Sequence, residues 1–252
     1  PDSPNTDGIN PESCKNIQIV GTKISVGDDC IVIKSGKIYL GKKLKTPSEN
    51  IVIRNCYMER GHGAVVMGSE IAGGAKDIII NKCIFVNTDK GIRIKTRRGR
   101  GKHSIIEGIF ADNIFMDGVE VPIAIYAFYF CDPDGKSEYV ATQEPLPVDE
   151  RTPEIRDIHF KDISAKNVHI AAAYINGLPE KKIKQVTFDN VDIQFAEHAR
   201  EGYTAMIVHC DKVSRMGCYI KNVSNLYVNK LSVKCSSGGS VIHENIDNFE
   251  TK

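Results

Sequence analysis

Tryptophan is absent from this 252-residue chain, and aromatic residues make up only 7% of it. A core built on large rings is therefore excluded, and whatever is buried must be mostly aliphatic. No apolar run approaches the ~20 residues needed to span a bilayer as a helix. The formal net charge is +1, so no global field recruits nucleic acid or a membrane surface. The eight cysteines include no Cys-x-x-Cys pair and no histidine spacing suited to zinc, so neither metal nor cofactor is expected. Asn-Gly, the favoured two-residue hairpin turn, occurs once, at Asn176-Gly177, which argues against a β-sandwich. No helical stripe exceeds two turns. What remains, with 41% hydrophobic and 26% charged residues, has the balance of a globular protein.

What the chain does have is a recurring short strand. Asn16-Ile17-Gln18-Ile19-Val20, Asn50-Ile51-Val52-Ile53-Arg54 and Asp77-Ile78-Ile79-Ile80-Asn81 begin 34 and 27 residues apart. Runs of the same kind follow at 155, 183 and 225. Most continue through an Asn-Cys, Lys-Asp or Asp-Asn step into a second apolar run. Short Val/Ile-rich runs punctuated by Gly, Asn and Asp are strand signals. A repeat of such strands without intervening helices predicts an all-β solenoid, a β-helix. The cysteines of Asn55-Cys56, Lys82-Cys83 and Lys234-Cys235 sit at similar places and predict stacked, buried, reduced thiols.

In a β-helix, residues one coil apart in sequence become neighbours at about 4.8 Å. Asp7 to Asp28 is 21 residues, Asp28 to His62 is 34 and His62 to Arg93 is 31, each the length of one coil. Four polar motifs then align on one strip about 15 Å long, a groove suited to a chain of sugars. Asp28 and Asp29 are adjacent acids inside an apolar run; kept partly dry, at least one has its pKa raised. A regular strand would send them to opposite faces, so a strand end or bend is expected there. His62 lies between two glycines, which in strands often mark a ligand's close approach. Along Gly91–Lys95, alternation sends Ile92 and Ile94 inward and Arg93 and Lys95 into the groove. Arg97, Arg98, Arg100, Lys102 and His103 read as a flexible basic loop beside an anionic polysaccharide. A nucleic-acid patch is the rival reading, disfavoured because no aromatic is interleaved for base stacking. Residues 131–153, rich in proline, form a long loop after the aromatic cluster Tyr126, Phe128, Tyr129 and Phe130, of which one Tyr reaches the groove. The tail from Ser236 reads as a terminal turn or loop.

Four blocks in this order, Asn5-Thr6-Asp7, Asp28-Asp29, Gly61-His62-Gly63 and Arg93-Ile94-Lys95, resemble those of the polygalacturonases, glycoside hydrolases of pectin with a right-handed parallel β-helix. The extension from Gly91 to Gly101 is similar to the bacterial branch, where exo-acting members are common. The resemblance implies a single parallel β-helix domain over residues 1–252, lacking the N-terminal coils and cap of family members. It implies hydrolysis of α-1,4-galacturonosidic bonds with inversion. Asp28 would be the acid, Asp7 and Asp29 would hold and deprotonate the water, and His62 would tune the acid's proton. Arg93, Lys95 and Asn5 would bind an oligogalacturonate or other anionic polysaccharide, and the protein is expected to act as a monomer. The compartment stays open between secreted or periplasmic and cytoplasmic. Rival readings are a rhamnogalacturonan hydrolase, a calcium-dependent pectate lyase and a non-catalytic glycan-binding β-helix.

Overall fold

The computed structural model describes residues 3–252. Nearly every strand runs parallel to its neighbours in one curled fifteen-stranded sheet. One ladder stacks Lys15–Val20, Ser48–Arg54, Ala75–Val86, Ile105–Asp117, Glu154–Val168, Ile183–Phe195 and Met216–Lys234. A second stacks Asp29–Ile33, Gly63–Met67, Lys90–Lys95, Val121–Tyr126 and Ala171–Asn176 and closes on the same strand Met216–Lys234. The site is built on this second ladder.

The repeat spacing becomes register. Ile51, Ile78, Ile109, Ile158, Val186 and Leu226 are successive Cα partners, one per coil. On the other ladder Ile33, Met67, Ile94, Ile125, Ile175 and Ile220 do the same. All twelve are buried in one continuous core. Each buried aliphatic side chain contributes about 1.5–3 kcal/mol by leaving water, so the column of like residues is what holds coil on coil.

The polar step between paired runs is the corner of each coil. Asn55, Lys82, Asn113, Asp162, Asn190 and Lys230 all have φ between +48° and +58°. Asn and Asp tolerate this left-handed conformation better than other non-glycine residues, which explains their recurrence at the corner. Asn190 donates to Asp162 Oδ1 one coil away at 2.5 Å, so the corners are also stapled laterally.

Three expectations need correction. The tail from Ser236 is not a loop: Val241–Thr251 forms a further parallel strand on Met216–Lys234. Its side chains are mostly exposed, which is why its sequence lacks the apolar density of the other coils. Cys235 is exposed, whereas Cys56 and Cys83 are buried neighbours as expected; all eight cysteines are free. Burial pushes the Cys83 thiol up to about 11, so it is an inert filler at neutral pH.

The third correction concerns the basic segment. Arg97, Arg98 and Arg100 are among the largest fully buried side chains, not a flexible loop in solvent. Gly99 and Gly101, at φ +94° and +101°, provide the turns that let closely spaced arginines all point inward. Arg97 donates to Asp132 and Asp134 at 2.8 and 2.7 Å. Arg98 makes a forked pair with Glu180 at 2.7 and 2.9 Å and donates to the carbonyls of Thr142 and Glu144. The segment therefore clamps the long 131–153 loop, which carries one short helix, Glu138–Ala141.

Candidate active site

The second ladder begins where the two acids lie. Asp29 opens the strand Asp29–Ile33 while Asp28 sits in the bend before it, accepting the Asp29 N–H on Oδ1 at 2.9 Å. Cys30 and Ile31 both enter the core, so strict alternation fails at this point. That irregularity lets both carboxylates reach one pocket. Asp7 arrives from the preceding coil, where Gly8 N–H donates to the Asp29 carbonyl at 3.0 Å. A side chain at Gly8 would meet the Cys30 carbonyl at 2.4 Å, so glycine permits this close stacking. One oxygen each from Asp7, Asp28 and Asp29 lies within 4.8 Å of the others.

Three cations balance the acids. Lys34 donates to Asp7 Oδ2 at 2.9 Å, Lys95 to Asp29 Oδ2 at 2.7 Å, and Arg93 stands 3.5 Å from Asp29 Oδ1. Ile92 and Ile94 face the core and Arg93 and Lys95 the acids, as alternation predicts. Both cations are buried rather than open to a groove. Tyr126 accepts from Arg93 Nε at 2.8 Å, the Tyr129 ring lies 5.5 Å from Lys95 Nζ, and Met206 closes over Arg93. Asn5, Asp7, Asp28, Asp29, His62, Arg93 and Lys95 line a single pocket of about 420 Å³. The residues singled out in the sequence are thus all brought together.

Their proton affinities diverge. Burial raises the Asp28 carboxyl above its ordinary value, and the negative charges of Asp29 and Asp7 push the same way. Burial also opposes ionisation of Asp7, but the Lys34 hydrogen bond and charge, with Asn10, outweigh it and hold Asp7 below the ordinary range. The proton affinities of the two carboxyls are thereby moved apart, in the sense that acid–base chemistry requires. The hydrogen bond that His62 Nδ1–H donates to the Asp89 carboxylate raises His62, which is then cationic to higher pH and faces Asp28.

Asp89 and Lys34 were not predicted from the sequence. The expected coil partner of His62 was Arg93, 31 residues on, but the ladder pairs Val65 with Ile92 and Val66 with Arg93, an offset of 27 that brings Asp89 to His62. That is the spacing already visible between the runs at 50 and 77, so the signal existed. Lys34 continues the alternation that places Ile31 and Ile33 inside. Ser69, Glu70, Cys131 and Met206 also line the pocket; Cys131 and Met206 come from outside the coil repeat and carry no periodic signal.

Residues 1–218 match the family described as glycosyl hydrolases family 28. A probable polygalacturonase of Vitis vinifera is 34% identical over 201 residues, 79% of this chain and 38% of that protein. An endo-polygalacturonase of Pectobacterium carotovorum subsp. carotovorum is 32% identical over 189 residues, 75% of this chain and 40% of that one. The chain thus spans about two fifths of the length of these relatives. Among solved structures, an exopolygalacturonase from Thermotoga maritima superposes with a TM-score of 0.64 at 26% identity, covering 84% of this chain and 46% of that one. A family 28 exopolygalacturonase of Yersinia enterocolitica gives 0.74 at 19% identity, covering 98% and 39%. The architecture is the right-handed parallel β-helix of these neighbours.

Proposed function

This chain belongs to the glycosyl hydrolases of family 28, and from that premise we propose that the protein hydrolyses α-1,4-galacturonosidic bonds of polygalacturonate. The observation that carries the reading is the convergence of three Asp carboxylates, one raised and one lowered in proton affinity, beside a buried Arg–Lys pair. Asp28 gives its proton to the glycosidic oxygen. Asp7 and Asp29 hold the attacking water and take its proton. Arg93 and Lys95 fix Asp29 and meet the substrate carboxylate, Arg as a planar fork and Lys as a point charge. Asn5, at the pocket's rim, contacts the same sugar. The reaction proceeds with inversion. Inverting carboxyls usually stand ~6.5–9.5 Å apart. The carboxylates here approach more closely, one oxygen of each lying within 4.8 Å of the others, so inversion is taken from the family resemblance and not from this spacing.

The finer assignment is to the bacterial, exo-acting branch, with the protein working as a monomer. Support comes from the clamped 131–153 loop, whose first residue, Cys131, walls one flank of the pocket, and from the likeness to the Thermotoga enzyme. Product analysis tests both levels. Polygalacturonate should yield monomers or dimers from the outset, with inverted anomeric configuration by proton NMR. A ladder of sizes would replace exo by endo action. An unsaturated, ultraviolet-absorbing product would replace hydrolysis by elimination, and no product at all would leave a binding protein.

A pH prediction follows from the site. Activity needs Asp28 protonated and Asp7 ionised, so the profile of kcat/KM brackets the ordinary aspartate value of 3.8. Its acid limb follows Asp7 below that value and its alkaline limb follows Asp28 above it. The cationic His62 favours the Asp28 carboxylate and so lowers its pKa. His62→Gln removes that charge; Asp28 then keeps its proton longer, and the alkaline limb should move to higher pH. A limb that moves to lower pH would show that His62 is not acting on Asp28.

A further inference from the structure

A second pocket, of about 330 Å³, lies between the helix Ile38–Leu44 and the arginine-rich segment. Lys42, Lys45, Arg100, Lys102 and His103 line it, against the single acid Glu150. Glu150 is engaged by Lys102 at 2.8 Å, and Arg100 by Asp132 at 2.5 Å. Lys42 and Lys45 have no ion pair among the described residues, so the pocket carries an excess of positive charge. Arg100 is 1% exposed, yet its Nε is buried without a hydrogen-bond acceptor. That N–H is enclosed by protein, so Arg100 acts on the pocket through its charge, and the exposed ammonium groups of Lys42 and Lys45 are what an incoming anion meets. Favourable charges at a helix C-terminus account for Lys42 and Lys43. They do not account for the convergence of Lys42 and Lys45 with Arg100, Lys102 and His103 from another element.

The fold ties this pocket to the acids. Gly41 packs on Ala72 so closely that a side chain at Gly41 would meet the Ala72 Cβ at 2.4 Å, which seats the helix beside the pocket floor. Glu70 lines the acid pocket and Ala72, two residues on, lines the basic one. Two residues of extended chain reach at most about 7 Å. Tyr39, three residues before Lys42 and so on the same helical face, is 76% exposed, an aromatic surface beside the cations.

We propose that this basic pocket is a second anion site, which takes a carboxylate of the same acidic polysaccharide whose scissile bond lies at Asp28. This rests on the function proposed above and adds to it a dependence on chain length. A substrate too short to reach Lys42 and Lys45 loses the contact; a longer one gains it. Exposed cations are screened by salt, so the gain shrinks as ionic strength rises.

The test is initial-rate kinetics at low salt on tri- and hexagalacturonate, with the native protein, Lys42→Gln/Lys45→Gln, and Lys43→Gln as control. Lys42 lies on the surface helix and Lys45 is its C-cap, both exposed, so the double variant keeps the fold. It should lower kcat/KM on hexagalacturonate about tenfold, equivalent to about 1.4 kcal/mol, and leave trigalacturonate unchanged. Lys43→Gln should change neither. Equal loss on both lengths, or no loss on either, would overturn the second site while leaving the hydrolase reading intact. A parallel arm adds inorganic sulfate. If the double variant abolished sulfate inhibition without altering the length dependence, the pocket would be a small-anion site and the polysaccharide assignment would fall. No turnover of any length by the native protein would defeat the hydrolase reading and this proposal with it.

Discussion

Asp28→Asn should lower kcat by about 10³-fold while leaving oligogalacturonate affinity nearly unchanged. Burial and the neighbouring acids raise the proton affinity of this carboxyl, where Lys34 lowers that of Asp7. An amide has no proton of comparable acidity to give to the departing oxygen. It does keep the local structure, because its carbonyl can still accept the Asp29 N–H that Asp28 Oδ1 accepts at 2.9 Å. The amide carries no charge, like the protonated acid it replaces, so binding of an anionic chain should change little. Turnover and calorimetric affinity on the same oligomer separate the two effects. A variant retaining more than about a tenth of its rate would remove Asp28 from the role of acid. Loss of affinity in step with rate would make it a binding residue instead.

A large loss of stability is expected far from the acids. Arg98→Ala should destabilise the protein by about 3–5 kcal/mol, because it leaves Glu180 as an unpaired buried charge. The Glu180 side chain is 5% exposed and the Arg98 side chain 1%. Arg98 also donates to the carbonyls of Tyr139, Thr142 and Glu144, so the same change frees three acceptors in the 131–153 loop. Arg98→Lys should recover only part, since a single ammonium cannot reproduce the forked pair and the carbonyl contacts together. Arg98→Ala combined with Glu180→Ala should be less damaging than Arg98→Ala alone, because no buried charge is left unpaired. Urea unfolding measures all three. A cost below about 1 kcal/mol would mean that solvent enters the site and the clamp is not a buried one.

The acid site was legible because it lies on the coil repeat. Asp7, Asp28, His62 and Arg93 are separated by coil-like intervals, and winding alone makes such residues neighbours. The same logic, applied with the 27-residue interval, leads from His62 to Asp89, a partner that the 31-residue interval obscured. The arginine-rich segment was misread because composition shows charge and not its partners. Arg97, Arg98 and Arg100 meet acids 32 to 82 residues away, at Asp132, Asp134 and Glu180, and no local pattern announces them.

From its residues alone the chain specified aliphatic columns at a repeating interval, polar corners tolerant of positive φ, and four charged blocks in step with the coils. These follow from periodicity, which winding converts directly into register. Only the folded molecule decided that Lys34 and Asp89 tune Asp7 and His62, that Arg93 and Lys95 are buried against Asp29, and that the basic run turns inward to grip a loop. Those outcomes depend on loop closure and on charges finding each other across long separations, for which a linear pattern has no period to reveal.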